Sequence, residues 1–325
     1  MGQACPNTDH RLGSREGLLI AADPVVTQGH WINTGGSKDV VILPSSNGVP
    51  VEFTDRYFAP MQDSTDLLAA PDLLRNRYRE DGYVLLRQVL DPAEVLRIRA
   101  EYFAAFPPEY FKAGTQPGEG VFSGTVPGGV PEYGVRGHPA YDFVRGPVYE
   151  AFATQPALAE VAATLLDGDV QLIRRKVLRH YDRASGQASR AHVDRAYQVV
   201  PKGDVVTLWL PLGDCPLDGG GLVYLSGSHR QTARPADSAS PVTDRPDDPR
   251  PFSHDLAWTA RELGGRWLWT DFRAGDVAAH CPDLVHASLD TVTDEMRLST
   301  DIRFQRTQAP VDPRWTVDWA ADDGA

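Results

Sequence analysis

Two histidines and one aspartate have the residue types and the spacing of a metal-binding site. His192 and Asp194 are separated by one residue, and His286 follows more than ninety positions later. On an extended strand the first two side chains leave the same face. A histidine from a neighbouring strand then completes three ligands on one face of an octahedral ion, which is the 2-His-1-carboxylate arrangement of non-haem iron(II) sites.

A basic residue at a fixed distance strengthens this interpretation. Arg297 stands eleven positions after His286, and a guanidinium can bind the carboxylate of a cosubstrate through two parallel hydrogen bonds. His280 is the alternative distal histidine, but no arginine follows it at the same distance. A lone H-x-D pair often arises by chance, so the prediction of an iron site depends on the three features together.

The elements that must hold these residues are mostly short strands. Helical patterns cover 73–80, the segment that begins with Asp91 and Pro92, and 157–166, and a strand is predicted at 83–86. After residue 166, turns separate strand-like runs at 170–173, 176–181, 205–210, 222–225, 276–279, 284–287 and 296–304. This order predicts a mainly β protein with flanking helices, a double-stranded β-helix of the jelly-roll, cupin-like kind.

The last of these strands alternates strictly between apolar and polar residues. One face carries Met296, Leu298, Ile302 and Phe304, and the other carries Arg297, Ser299, Asp301 and Arg303. Period-two alternation means that one face packs in apolar surroundings. A polar face open to solvent is the simpler alternative, but the position of Arg297 favours a polar face that points into the barrel.

Composition sets the domain organisation and excludes several classes of partner. We predict an irregular N-terminal extension over 1–70, one domain over 71–306 and a C-terminal tail over 307–325, with the Pro- and Gly-rich stretch 107–140 as a loop over the site. The net charge of −12 disfavours nucleic acid and anionic membranes as partners. Three scattered cysteines and the lack of a signal peptide or a long apolar run predict a cytoplasmic protein. The oligomeric state stays open.

Several segments resemble the phytanoyl-CoA dioxygenase-like family of Fe(II)/2-oxoglutarate oxygenases, over about residues 71–306. Besides the triad and the arginine, the matching segments are DGYV at 81–84, TLWLPL at 207–212, GGGL at 219–222 and AGDV at 274–277. The stretch SGSH at 226–229 differs from the usual PGSH, and HYD at 180–182 replaces a lysine- and proline-rich stretch. These departures touch no predicted ligand.

The resemblance implies a set of site residues and cofactors. Iron(II) is expected on His192, Asp194 and His286, and the distal carboxylate of 2-oxoglutarate on Arg297, with Ser288 and Trp209 beside it. Dioxygen is the second cosubstrate, and ascorbate serves as the reductant in vitro. The reaction implied is hydroxylation of a small molecule in bacterial natural-product metabolism. The carboxylate of Asp194 separates this chain from related halogenases, which have a small residue there.

The substrate and the outcome of the reaction are less closely specified. Arg195, Tyr197 and Arg303 are the candidate substrate contacts, and they suit a hydroxylated or anionic molecule. Few basic groups in 107–140 could meet the phosphates of coenzyme A, so a free small molecule is expected over a thioester. Desaturation, epimerisation, cyclisation and alcohol-to-ketone oxidation use the same cofactors and remain alternatives. An alternative of another class is a non-catalytic jelly-roll protein that binds a metal or a small ligand.

Overall fold

Proline is the first residue of five of the six α-helices in the described part of the protein. The computed structural model describes residues 43–185, 188–197, 204–231 and 250–321. The helices are α1 (Pro71–Asp81), α2 (Pro92–Phe103), α3 (Pro139–Phe143), α4 (Pro147–Ala153), α5 (Pro156–Leu166) and α6 (Leu256–Leu263). Proline suits a first helical position, where an N–H has no intrahelical acceptor. Asp91 caps α2 by accepting a hydrogen bond from the Ala93 amide at 2.9 Å. No helix within the described ranges combines the length and apolar character needed to cross a bilayer.

The strands form two sheets and one small hairpin. They are β1 (Ser45–Ser46), β2 (Val49–Pro50), β3 (Phe58–Pro60), β4 (Tyr83–Leu86), β5 (Val170–Leu172), β6 (Val177–Tyr181), β7 (Val205–Pro211), β8 (Leu222–Leu225), β9 (Trp267–Trp269), β10 (Val277–His280), β11 (His286–Ser288) and β12 (Arg297–Arg306). The larger sheet has the order β4-β10-β7-β12-β5, with β6 also paired to β12, and the smaller has the order β11-β8-β9-β3. From β6 onward the chain passes back and forth between the two sheets, so the predicted double-stranded β-helix is confirmed.

A helical layer covers one face of the larger sheet. Helix α5 contacts β7 and β12, and α1 contacts both α5 and β4. Their apolar side chains share one core with Leu208 and Ile302 of the sheet. The opposite, polar face of β12 is buried too, with Arg297 and Arg303 only 3% and 4% exposed. That face therefore points into the barrel, as the alternation predicted, and not toward solvent.

Segments outside the predicted domain also belong to the fold. Strand β3 pairs with β9 in parallel, because Phe58 packs in the apolar cluster that holds Trp267. Residues 43–70 are thus part of the described fold, which begins before the predicted boundary at residue 71, while 1–42 lie outside the described residues. At the other end, Trp315 and Trp319 of the predicted tail are buried, and the Trp319 ring lies 4.3 Å from that of Tyr141.

Candidate metal centre and cosubstrate site

The two predicted histidine ligands and the aspartate lie together at one end of the barrel. One potential ligand atom from each of His192, Asp194 and His286 lies within 4.8 Å of the others, and all three residues are buried. The two imidazole rings are 4.1 Å apart between centroids. This separation lets both rings reach one ion, because iron and zinc lie about 2 Å from histidine nitrogen.

Backbone pairing brings the two histidines together across the smaller sheet. The His192 amide donates to the His286 carbonyl at 3.0 Å, and the His286 amide donates back at 2.9 Å. Val193 is extended, but Asp194 opens a short 3-10 helix, Asp194–Ala196. The aspartate therefore reaches the histidines from a turn at the end of an extended segment, and not from a continuous strand as the spacing suggested.

Hydrogen bonds fix which ring nitrogen of each histidine faces the cluster. His192 Nδ1 lies 2.6 Å from the Arg190 carbonyl, and His286 Nδ1 lies 3.0 Å from the Leu284 carbonyl. A carbonyl only accepts, so both Nδ1 atoms carry the proton and both Nε2 lone pairs are free for a metal. Burial lowers the pKa of His192 to about 4. Burial, with two neighbouring histidines, also lowers the pKa of His286 well below its usual range. Both rings are neutral near pH 7, which is the form that binds metal.

The carboxylate of Asp194 is held by two partners on the larger sheet. Thr207 Oγ1 donates to Asp194 Oδ2 at 2.7 Å, and the Nε and Nη2 atoms of Arg303 donate to the carboxylate at 3.2–3.3 Å. Burial alone raises the pKa of Asp194, but the charge of Arg303 and the nearby histidines hold it well below its usual range. The carboxylate of Asp194 is therefore held in its ionised form. Its Oδ1 atom lies 3.8 Å from His286 Nε2.

His280, the rival distal histidine, lies beside the triad. Its Nε2 atom is 3.6 Å from Asp194 Oδ2, and its ring centroid is 4.6 Å from that of His286. Its Nδ1 atom is 2.9 Å from the Tyr224 hydroxyl. The compact cluster of potential ligand atoms in the described residues does not include His280. Its Nε2 atom therefore adjoins the carboxylate of Asp194 without a hydrogen bond to it.

Arg297 is a buried guanidinium with unsatisfied hydrogen-bond donors. Its guanidinium lies 4.4 Å from the centroid of the Tyr181 ring, and its Nε and Nη2 atoms are buried without a hydrogen-bond partner. No acidic side chain of the described residues forms an ion pair with it. Burial lowers the pKa of Arg297 from its ordinary value. A buried guanidinium without an acceptor has the chemistry that the distal carboxylate of 2-oxoglutarate needs.

The other two residues predicted near the cosubstrate are buried in the barrel wall. Ser288 Oγ accepts a hydrogen bond from the Ser189 amide at 2.7 Å. Trp209 packs against Phe272, with 4.7 Å between ring centroids. Trp209 lies on the same sheet as Arg297, and Ser288 lies on the smaller sheet.

A cavity of about 800 Å³ opens beside the triad and is lined by His192 and Asp194. Residues 132–135 of the predicted loop and Trp315, Val317 and Trp319 of the predicted tail form part of its wall. Tyr197 and Arg303, two of the three candidate substrate contacts, are among its lining residues. Arg195, the third candidate, is not among the described lining residues. Its Nη2 atom donates to Asp283 Oδ2 at 2.8 Å instead, because the 3-10 turn directs the Arg195 side chain away from that of Asp194.

Sequence reasoning missed most of the basic residues of this cavity. The arginines among its described lining residues are Arg175, Arg179, Arg190, Arg250, Arg303 and Arg314. They come from segments far apart in the chain, so no local sequence motif predicts that they lie together. The parity of β12 was the one available signal, and it identified Arg303.

The sequence pattern of the family described as phytanoyl-CoA dioxygenase (PhyH) matches residues 78–299, which is more than half of the chain. The chain belongs to this family. As a PhyH-family member it is an oxygenase that uses iron(II) and 2-oxoglutarate. The match includes all three residues of the triad and Arg297.

Two relatives are named for a defined reaction. The 1-deoxypentalenic acid 11-beta-hydroxylase of Streptomyces exfoliatus is 27% identical over 255 residues, covering 75% of this chain and 84% of the relative. The enzyme of the same name from Streptomyces arenae is 26% identical over 260 residues, covering 76% and 86%. Among solved structures, the non-heme alpha ketoglutarate dependent epimerase SnoN from nogalamycin biosynthesis gives a TM-score of 0.53 at 22% identity, covering 75% of this chain and 86% of that one. This likeness supports the fold.

Proposed function

We propose that this PhyH-family oxygenase hydroxylates a small molecule of bacterial specialised metabolism, with iron(II) held by His192, Asp194 and His286. The observation that carries the proposal is the buried cluster of these residues, with potential ligand atoms within 4.8 Å of one another, of which His192 and Asp194 line a cavity of about 800 Å³. Such a cavity is large enough for a small-molecule substrate. The two Streptomyces relatives, both named as hydroxylases, support hydroxylation as the outcome.

Arg297 is the residue that we assign to the distal carboxylate of 2-oxoglutarate. The assignment rests on its buried Nε and Nη2 atoms, which lack partners. Ser288 contributes a hydroxyl near that carboxylate, and Trp209 closes the pocket against water. Both residues are 1% exposed, so the cosubstrate is held in a region of low dielectric, where a charge-assisted pair is strong.

His192, Asp194 and His286 would hold iron(II), which would supply the oxidation chemistry that couples dioxygen and 2-oxoglutarate to hydroxylation of the substrate, with succinate and carbon dioxide as coproducts. The protein's contribution is placement. The Arg190 and Leu284 carbonyls hold the protons on Nδ1 of the two histidines. Thr207 and Arg303 hold the carboxylate of Asp194 in its ionised form. Tyr197 and the loop residues 132–135 enclose the substrate and exclude water.

The test measures metal binding and cosubstrate turnover separately. We expect the wild-type protein to bind one iron(II) and to release succinate from 2-oxoglutarate, with 1-deoxypentalenic acid as the first substrate to try. His192→Ala should lose both properties. His229→Ala is the matched control, because His229 belongs neither to the cluster of potential ligand atoms nor to the described cavity lining. Metal binding without succinate release in any condition would favour the non-catalytic jelly-roll alternative and contradict the proposal.

Mass spectrometry of the product decides among the reactions that share these cofactors. A gain of one oxygen atom means hydroxylation, and a loss of two hydrogens means desaturation or oxidation to a ketone. Epimerisation leaves the mass unchanged. A chlorinated product formed in the presence of chloride would show that Asp194 does not occupy the coordination position that we assign to it.

A further inference from the structure

The described lining of the cavity beside the triad holds more arginines than acidic residues, although the protein as a whole has a net charge of −12. Among the described lining residues the acidic ones are Glu132 and Asp194, and six arginines face them. Cavity charge of one sign attracts ligands of the other sign and raises their local concentration. Among these arginines, Arg303 is in direct contact with the triad, because it donates to the carboxylate of Asp194.

The contacts of Arg303 indicate where a ligand would bind. One edge of its guanidinium, Nε and Nη2, donates to Asp194. The remaining nitrogen, Nη1, is buried and has no hydrogen-bond partner, although the residue is only 4% exposed. The Trp315 ring covers the guanidinium with 4.8 Å between its carbon and the ring centroid. A buried N–H group without an acceptor costs about 1–3 kcal/mol, so Nη1 marks where a ligand acceptor belongs.

A second arginine, Arg179, lies next to Asp301, which is also close to Arg303. Arg179 Nη2 lies 2.9 Å from Asp301 Oδ2, and Arg303 Nη2 lies 3.8 Å from the same oxygen. Both arginines line the cavity. Asp301 is 4% exposed and the Arg179 side chain is 16% exposed, so this carboxylate and the two guanidinium groups form one largely buried ionic cluster on the inner face of the larger sheet. Asp301 alone does not neutralise both cations.

The charged groups on the inner face of the larger sheet and on the triad leave one positive charge in excess when the site is loaded. The cations are the buried Arg297 and Arg303 and the half-buried Arg179, and the carboxylates are Asp194 and Asp301. Iron(II) and the dianion 2-oxoglutarate would cancel each other. One of these three guanidinium groups therefore lacks a counter-charge, which is unfavourable for a buried cation such as Arg303 unless an anion binds there. A carboxylate supplies a single negative charge, whereas a phosphate monoester carries about −1.5 to −2 at pH 7 and would reverse the excess.

We propose that the substrate is a carboxylic acid whose carboxylate binds Nη1 of Arg303, which deepens the proposed function and rests on it. Arg179 stabilises the same anion from the neighbouring strand β6. The rest of the molecule lies against the aromatic lining of the cavity, which includes Tyr133, Tyr141, Tyr181, Tyr197, Trp315 and Trp319. These rings favour a flat or polycyclic body, because aromatic side chains bury large apolar areas.

The experiment uses the complete protein with iron(II) and 2-oxoglutarate under anaerobic conditions, so that nothing turns over. The visible charge-transfer absorption of the iron–2-oxoglutarate complex is recorded first, and its absence would mean that the proposed function fails. Three ligands are then titrated calorimetrically: anthracene-9-carboxylate, its methyl ester and 1-naphthyl phosphate. We expect the acid to bind at least tenfold more tightly than the other two. Equal binding of acid and ester, preference for the phosphate, or no binding of the acid at millimolar concentration overturns the proposal while the absorption band remains.

Variants connect the anion to Arg303. Arg303→Lys keeps the positive charge beside Asp194 but removes the guanidinium fork, and it should weaken acid binding on the order of tenfold to a hundredfold with ester binding unchanged. Arg97→Gln, on the exposed side of α2, is the control and should leave all three affinities unchanged. If Arg303→Lys weakens 2-oxoglutarate binding and leaves the acid–ester difference intact, Arg303 serves the cosubstrate and the proposal is wrong.

Discussion

Two buried arginines, Arg297 on strand β12 and Arg99 on helix α2, should respond in opposite ways to the same substitution. Arg297 is 3% exposed, and two of its nitrogens have no hydrogen-bond partner. Arg99 is 6% exposed, but it donates to the carbonyls of Leu212, Glu119 and Met296 at 2.9–3.0 Å. Size and burial are matched, so the difference between the two sites is the presence of acceptors.

The magnitudes follow from these contacts. Arg297→Met removes a buried cation that lacks an acceptor and should stabilise the metal-free protein by about 1–3 kcal/mol. This stabilisation is the net value after subtraction of the cation–π interaction with Tyr181, which is worth about 1–2 kcal/mol. Arg99→Met leaves three carbonyls without donors and should destabilise the protein by about 3–5 kcal/mol. For 2-oxoglutarate, Arg297→Met removes two charge-assisted hydrogen bonds of about 1.5–3 kcal/mol each, so affinity should fall roughly 10²- to 10⁴-fold.

Two measurements on each variant test this reasoning. Urea unfolding of the metal-free protein gives the change in the free energy of unfolding. Anaerobic titration of the iron-loaded protein with 2-oxoglutarate gives the change in affinity, which should be within about twofold of wild type for Arg99→Met. The assignment of Arg297 is refuted if Arg297→Met destabilises the protein as Arg99→Met does and binds 2-oxoglutarate as wild type does.

Three further predictions concern residues around the triad and in the helical layer. His280→Gln should lower iron(II) affinity by about 10- to 100-fold without unfolding the protein, as measured by metal titration and circular dichroism, because His280 adjoins the far oxygen of Asp194. Arg195→Ala should leave the KM for the substrate within about twofold of wild type and change stability by less than about 1 kcal/mol, since Arg195 pairs with Asp283 outside the cavity; a large rise in KM would place it in the binding site. Burial lowers the pKa of His138 from 6.5 to about 4, so between these values the unfolded chain binds a proton that the folded chain does not. Stability of the metal-free protein should therefore fall as pH drops through this window, and less steeply in His138→Asn; equal slopes in denaturant titrations would contradict the shift.

Sequence motifs and residue spacing were enough to predict the parts of the site that depend on local structure. The H-x-D pair, the distal histidine and the arginine eleven positions later are all buried in the barrel, and the predicted strands recur with shifts of one or two residues at most of their ends. The alternation in β12 predicted which of its side chains face the interior. These features are encoded locally, because strand periodicity fixes the face on which each side chain lies.

Only the tertiary structure decided how those faces meet. The pairing of Arg303 with Asp194 joins residues 109 positions apart, and the approach of His280 to the same carboxylate depends on the closure of the barrel. The direction of Arg195 was set by a 3-10 turn that the pattern did not reveal. The arginine-rich cavity collects side chains from strand β6, a loop and the C-terminal segment. Sheet order and loop paths arise from packing of the whole chain, so local periodicity carries no information about which distant charges become neighbours.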